Sequence, residues 1–225
     1  MRIAVAFFLT LALITTSSSS ADAQRPPAQK NTQKLGKVMY GKPKLPAHQG
    51  IHDRFRERKV LERFQRFFSA MRTPRPLSFR LTDCEGEVNA WYEPSNGIIT
   101  VCYEYVEDIL RNAPKETTAD GVTPDDAVVG PVIEVFLHEA AHAFFDMLKI
   151  PILGREEDAA DQLAAYVLLQ FGDEIALSTI RGVAHLYATE VQSTTPGLKA
   201  FASEHSLPIQ RFFNLACIAF GHIAE

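Results

Sequence analysis

The chain has 225 residues, 46% hydrophobic and 22% charged, a globular composition that excludes wholesale disorder and fibrous repeats. The net charge of −4 is unevenly divided, since residues 24–75 carry +11 and residues 76–225 carry −15. This basic arm lacks the aromatic-interleaved pattern of nucleic-acid binders, so we expect no nucleic-acid partner. The arm is either a solvated segment that partly neutralises the acidic body or a weak contact for an anionic surface.

The first 23 residues have the pattern of a secretory signal peptide. A basic start, Met1-Arg2, precedes an apolar run over residues 3–14 and a small-residue exit at Ala21–Ala23. As a helix the apolar run would rise about 18 Å, too short for a hydrocarbon core of about 30 Å. We therefore expect cleavage near Ala23 and a secreted or periplasmic protein.

Residues 24–50 are rich in Pro, Lys and Gln, which predicts a mobile linker. Across residues 51–71 apolar side chains recur at helical spacing, which predicts one amphipathic helix. The predicted folded domain spans residues 51–225.

Residues 77–106 have the pattern of strands. Residues 77–81 alternate apolar and polar side chains, and a Pro/Asn/Gly turn separates residues 89–92 from residues 98–103. This arrangement predicts an antiparallel β-hairpin in which Tyr92 faces Ile98.

The three cysteines, Cys84, Cys102 and Cys217, allow at most one disulfide within the chain. The predicted hairpin register places Cys102 opposite Val88, so a bond between Cys84 and Cys102 requires a bulge or a bend. Cys217 is an alternative partner for either, and the pairing stays open. The absence of a CxxC pair excludes a cysteine zinc ribbon and a thioredoxin-type site.

Helices dominate from Thr123 onward. Thr123-Pro-Asp-Asp is a helix start, and the apolar pattern predicts helices over four segments: residues 132–149, 155–171, 173–191 and about 209–221. The sequence therefore predicts an α+β fold, mostly α, with a small antiparallel hairpin or sheet at its edge.

The segment His138-Glu-Ala-Ala-His142 carries the functional prediction. Histidines four residues apart lie one helical turn apart and about 40° around the axis, so both rings can reach one ion. Glu139 lies beside them, where it can act as general base toward a water that the metal activates. The pattern is expected only about 0.015 times by chance at this composition. An apolar helix does not bury such groups without partners, so we predict one catalytic Zn²⁺.

A catalytic zinc needs a third protein ligand, and Glu157 on the next predicted helix is our candidate. Asp161 lies one turn further on the same face, where it can accept a hydrogen bond from a ligand imidazole. Glu156 and Asp158 point about 100° to either side of Glu157 and are weaker candidates.

Two further functions need residues outside the motif. For a donor to the oxyanion of the transition state we select His205, with Tyr103 and Arg211 as weaker alternatives. The segment that begins at Asn89 and Ala90 can hold an extended peptide by strand addition, or it is an ordinary structural hairpin.

The motif followed by Glu157-Asp-Ala-Ala-Asp161 resembles the gluzincin metallopeptidases. The Asn89-Ala-Trp-Tyr hairpin is similar to that of the CAAX-type and related endopeptidases, which implies an edge strand beside the active-site cleft. The chain lacks the transmembrane helices of those enzymes and has a shorter gap to the third ligand. Their membrane substrates are therefore not expected here.

A closer resemblance covers residues 61–221 and is to a little-characterised bacterial family of putative metallopeptidases. It implies a zincin-like pair of active-site helices and a peptidase activity. The matching segments beyond the two motifs are Pro74-Arg-Pro-Leu, Cys84, Asn89-Ala-Trp-Tyr, Cys102-Tyr-Glu, Glu204-His-Ser-Leu and Gln210-Arg-Phe-Phe-Asn-Leu-Ala-Cys217.

Taken together, these features predict an exported zinc-dependent peptidase whose partners are peptide or protein substrates. The alternative is a non-catalytic zinc-containing protein of the cell envelope that binds a peptide or a surface. Hydrolysis of a non-peptide substrate is a weaker possibility, because the motif is used mainly on amides. The oligomeric state stays open.

Overall fold

The computed structural model describes residues 35–193 and 196–223. The predicted signal peptide lies outside these residues. The described part is α+β and mostly helical, as predicted. Its strands are β1 (Val38–Tyr40), β2 (Ser78–Thr82), β3 (Ala90–Glu93) and β4 (Ile98–Cys102). Its α-helices are α1 (Pro46–Glu57), α2 (Val60–Phe68), α3 (Tyr103–Asn112), α4 (Pro124–Leu148), α5 (Glu156–Leu169), α6 (Asp173–Ser193) and α7 (Pro208–Ile223), with a 3-10 turn at Leu198–Ala202 before α7.

The four strands form one sheet in the order β1-β2-β4-β3. The predicted hairpin is present as the antiparallel pair β3 and β4, with a register one residue from the prediction, since Tyr92 pairs with Ile99 rather than Ile98. The rest of the sheet is parallel, because β1 pairs with β2 and β2 with β4 in the same direction. Among the strands of the described residues, β3 is consequently an edge strand with one unpaired side.

The ordered fold begins before Ile51, where the linker was predicted to end. Strand β1 pairs with β2, and α1 begins at Pro46, a residue suited to the first turn of a helix. A three-residue strand is too short to produce a recognisable hydrophobic period, which is why composition alone favoured a linker.

The single helix predicted over residues 51–71 is two helices. The chain turns at Lys59, whose φ of 52° is left-handed. Tyr40 stabilises the turn, because its hydroxyl accepts a hydrogen bond from the Leu61 N–H at 3.3 Å and donates to Glu62 Oε2 at 2.8 Å. Both helices keep the predicted apolar period, so the pattern predicted the buried face and missed the break.

Cys84 and Cys102 form a disulfide with their Cα atoms 5.5 Å apart, and Cys217 is free and exposed. The predicted hairpin register did not indicate this pair, because that register concerns β3 and β4 only. Cys84 follows β2, which is the other neighbour of β4. Strand β2 runs parallel to β4 and places Thr82 beside Cys102. The loop that follows β2 then returns Cys84 to the same point.

The prediction of strand up to residue 106 is wrong beyond Cys102, since α3 begins at Tyr103. Tyr103, Val106 and Ile109 are all buried, and their spacing of three places them on one helix face. The segment is rich in residues that favour strands, but packing of this face outweighs local propensity.

Helix α4 is the central element of the helical layer. Thr123 caps it with a capping box, in which its side chain accepts from the Asp126 N–H and the Asp126 side chain accepts from the Thr123 N–H. The helix is long and apolar enough to cross a membrane, but most of its apolar stretch is buried inside the fold. Helices α5 and α6 pack against it, which places its motif in a protein interior.

Helices α4 and α6 approach so closely that their backbones touch at Gly182, where an added Cβ would overlap the carbonyl oxygen of Asp126. We expect Gly182→Ala to lower the free energy of unfolding by about 1–3 kcal/mol, the usual cost of overpacking. Urea unfolding measures this. Gly221→Ala is the matched control, because Gly221 is also helical and a Cβ there would meet nothing within 4 Å. Equal losses in both variants would contradict the prediction.

Candidate metal centre and active-site cleft

The second half of α4 carries the motif on a buried helix face. His138 is 5% exposed and Glu139 7% exposed. The Nε2 atoms of His138 and His142 lie 3.1 Å apart, so the two rings converge on one point as the spacing predicts.

Helix α5 brings its first turn against these rings. Glu157 Oε2 lies 3.0 Å from His138 Nε2 and 3.4 Å from His142 Nε2. Asp161, one turn later, accepts a hydrogen bond from His138 Nδ1 at 2.8 Å. Glu156 has a contact that the sequence did not indicate, since its Oε1 lies 2.8 Å from His142 Nδ1. Each histidine therefore has a carboxylate on Nδ1 and directs Nε2 to the shared point.

His205 joins the same group from the loop before α7. Its Nε2 lies 2.9 Å from Glu157 Oε2, and its side chain is half exposed. His205 is predicted from the sequence as an oxyanion donor, whereas the structure places its Nε2 beside the candidate ligand atoms. Tyr103 does not reach the cleft, because its hydroxyl donates to the Gly41 carbonyl at 2.6 Å, so it is excluded as an oxyanion donor.

The spacing of these atoms fits a zinc ion. Bonds of about 2.0–2.1 Å in a tetrahedral shell place the donor atoms about 3.3 Å from one another. The distances among His138 Nε2, His142 Nε2 and the Glu157 oxygen are 3.0, 3.1 and 3.4 Å, and His205 Nε2 lies 2.9 Å from the same oxygen. Imidazole nitrogen and carboxylate oxygen are also ligands that zinc accepts. The three predicted ligands His138, His142 and Glu157 therefore fit zinc in spacing and in chemistry.

Comparison with known proteins identifies the family. A family model described as "Putative metallopeptidase" (DUF4344) matches residues 40–225. The chain belongs to this family. No match was found among curated proteins or among solved structures. The match confirms the resemblance to the putative metallopeptidases, and a metallopeptidase requires a metal ion, for which the group around Glu157 supplies ligands.

At the candidate metal centre, burial and hydrogen bonding shift the pKa values of His138 and Glu157 in opposite directions. Burial would lower the pKa of His138, but hydrogen bonds to Asp161 and Glu157 outweigh it and raise that pKa to about 10. Burial would raise the pKa of Glu157, but the contacts with three histidines keep it well below its usual range. The pKa of Glu139 is raised, mainly by burial, which moves this carboxylate toward the basicity that a general base needs.

Arg211 is the main residue near the candidate metal centre whose contacts the sequence did not predict. It forms two hydrogen bonds of 2.7 Å to Asp161, lies 3.8 Å from Glu134 and packs its guanidinium over the Tyr187 ring at 4.5 Å. Burial alone would raise the pKa of Asp161, but Arg211 and His138 lower it to about 2. In the sequence, the sign of this role is an arginine within the otherwise apolar helix α7. The contacts of Arg211 with Asp161 and Glu134 indicate a positioning residue rather than an oxyanion donor.

The candidate metal centre lies in a cleft of about 490 Å³ with the β3 edge along one side. The Cys102 N–H donates to the Asn89 carbonyl at 3.1 Å, and this pairing turns the backbone groups of Ala90 and Tyr92 away from β4. The outward N–H of Ala90 bonds to the Asn89 side chain at 2.8 Å. The backbone of Tyr92 lies close enough to the Glu139 carboxylate to lower its pKa slightly against the effect of burial. The substrate strand predicted at Asn89 and Ala90 thus borders the same cleft as the motif.

Proposed function

We propose that the chain is an exported zinc-dependent peptidase that hydrolyses peptide bonds in peptides or proteins. The observation that carries this proposal is the convergence of His138 Nε2, His142 Nε2 and the Glu157 oxygen, which lie 3.0–3.4 Å from one another, beside a buried Glu139 that is not among the donors. Membership of the putative metallopeptidase family supports it. The signal pattern of residues 1–23 supports export.

In this proposal His138, His142 and Glu157 hold the zinc ion. When bound, zinc supplies a Lewis acid for the scissile carbonyl and lowers the pKa of water. Glu139 takes the proton of the attacking water and returns it to the leaving amine. Asp161 and Glu156 hold the Nδ1 atoms of the two histidines, which fixes the tautomer that leaves each Nε2 for the metal.

His205 has to move for this chemistry to occur. A catalytic zinc keeps an open position, whereas four protein ligands are typical of structural sites. The half-exposed His205 lies on a loop, so it is the donor best placed to give way to substrate. If substrate takes the place of His205 in the cleft, the ring N–H of His205 would be available to donate to the oxyanion of the transition state.

The β3 edge supplies the binding surface for the peptide backbone. The outward carbonyl groups of Ala90 and Tyr92 are suited to accept hydrogen bonds from an added extended strand. The Asn89 side chain accepts a hydrogen bond from the outward N–H of Ala90. For an added strand to bind this N–H, the Asn89 side chain must turn away. The cleft volume of about 490 Å³ suits a short peptide segment.

A second candidate function is favoured by the same His205 contact. If the ring stays in place, the site is closed by four protein ligands, as in a structural zinc site. The protein would then bind a peptide or a surface without turnover. Both functions require the bound zinc ion, but only the peptidase turns over a substrate.

The metal content of residues 24–225 tests what both functions share. We expect one zinc per wild-type chain and less than one tenth of that in Glu157→Ala, because the carboxylate central to the donor group is lost. Glu156→Ala is the matched comparison on the neighbouring residue: Glu156 contacts the outer nitrogen of His142, so this variant should still bind one zinc, with an affinity lowered about 10–100-fold as for other residues that orient a metal ligand. A wild type without zinc would overturn the proposal, and zinc retained in Glu157→Ala would exclude Glu157 as a ligand.

A further inference from the structure

A second, larger cavity lies among residues that do not line the cleft. It is an apolar groove of about 720 Å³ between the α1–α2 hairpin, α3 and the first half of α4. Its walls include Phe55, Phe64, Val106 and Val132. The volume falls within the range of about 300–1,000 Å³ that small-molecule sites occupy, and such sites combine apolar walls with a few placed polar groups.

Three arginines line the groove, Arg54, Arg58 and Arg63. All three are exposed, and within the described residues none forms an ion pair with a carboxylate. Arg54 and Arg63 each donate from Nε to a backbone carbonyl, at 3.1 and 3.0 Å, which leaves their terminal nitrogens for another acceptor. Among the described residues, Asp125 is the one carboxylate residue that lines the groove, so this lining is net positive.

We propose that this groove binds a free single-chain anionic amphiphile of the fatty-acid type. Its alkyl chain would lie against the phenylalanine and valine walls, where burial of apolar surface contributes the affinity. Its carboxylate would meet the arginines, since guanidinium groups bind carboxylates through paired charge-assisted hydrogen bonds. The basic character of residues 24–75 then has a specific use at this site.

Two other occupants fit the groove less well. A bilayer surface is bound by apolar side chains that project from the protein. In the part of the lining that the structure describes, Val129, 44% exposed, is the one large apolar residue that is strongly exposed. Residues 24–34 of the chain itself contain three basic residues, no acidic residue and no large apolar residue. That segment can neither fill apolar walls nor neutralise arginines.

The test is a fluorescence titration of residues 24–225 with 11-(dansylamino)undecanoate, a fluorescent fatty acid. We expect saturable binding at one site. The triple variant Arg54→Glu/Arg58→Glu/Arg63→Glu should weaken binding of the probe at least tenfold. Val129→Asp should do the same, because it places a negative charge, like that of the probe carboxylate, on the groove wall. The matched control Arg66→Glu/Arg72→Glu/Lys115→Glu makes the same change in net charge at exposed residues outside the groove and should change the affinity less than twofold.

Competition experiments identify the ligand class. Unlabelled palmitate should displace the probe, and the uncharged hexadecanol should displace it at least tenfold less well. Absence of saturable binding, or equal weakening by both triple variants, would overturn the proposal. Binding to phosphatidylglycerol vesicles without binding of the free probe would also overturn it, in favour of a membrane surface. These readouts do not depend on zinc or peptidase activity, so this inference and the proposed function can fail separately.

Discussion

Replacement of Glu139 by Gln is expected to leave one zinc bound and to lower kcat by about 10²–10⁴-fold, the usual contribution of a general base. Gln has the same shape as Glu and fits the same buried position, but it cannot take a proton from water. Since Glu139 is absent from the group of donor atoms around Glu157, the metal content should not change. Hydrolysis of fluorescein-labelled casein and zinc analysis of the same samples measure both quantities.

The matched control for this variant is Glu190→Gln. Glu190 also lines the cleft and also has a pKa raised by burial, but it is not part of the motif, so kcat should fall less than about tenfold. Wild-type turnover in Glu139→Gln would exclude Glu139 as the base. A wild type that holds zinc but cleaves no peptide would favour the non-catalytic function.

Arg211→Met is expected to lower the free energy of unfolding by about 3–5 kcal/mol, because it leaves buried carboxylates without their cation. Asp161 would lose two hydrogen bonds of 2.7 Å, and Glu134, 8% exposed at its side chain, would lose its nearest positive charge. Asp161 also holds His138 Nδ1. We therefore expect zinc affinity to fall about 10–100-fold, as for other residues that orient a metal ligand.

Urea unfolding and competition with a zinc chelator test these two effects. Arg111→Met is the matched control, since Arg111 forms an exposed ion pair with Asp108, and such pairs contribute about 0–1 kcal/mol. A loss of stability in Arg211→Met no greater than in the control would show that the buried carboxylates do not depend on Arg211. Unchanged zinc affinity in a destabilised variant would restrict Arg211 to a structural role.

The parts of the fold and site that the sequence predicts are those governed by local periodicity. The relative positions of His138, Glu139 and His142 follow from one helix, and those of Glu157 and Asp161 from the next. The hairpin turn likewise places β3 beside β4. In each case residues a few positions apart determine the geometry, so the pattern is sufficient.

The parts that the sequence does not predict depend on contacts between distant segments. His205 reaches Glu157 only because the loop before α7 returns to α5, and no period in the sequence encodes that return. Arg211 joins Asp161 through the packing of α7 against α5. The position of Cys84 depends on a parallel strand pair, which a turn pattern cannot indicate.

The disulfide links the cleft to the redox state of its surroundings. Cys84 and Cys102 close a loop that contains the whole of β3, so the strand proposed to hold substrate lies inside a covalent ring. Disulfides persist in oxidising compartments and are rare in a reducing cytosol. In a reducing compartment sheet hydrogen bonds and packing alone would hold β3, whereas α4 and α5 would present the metal ligands as before. Formation of the disulfide therefore tethers the β3 side of the cleft and leaves the side formed by α4 and α5 unaffected.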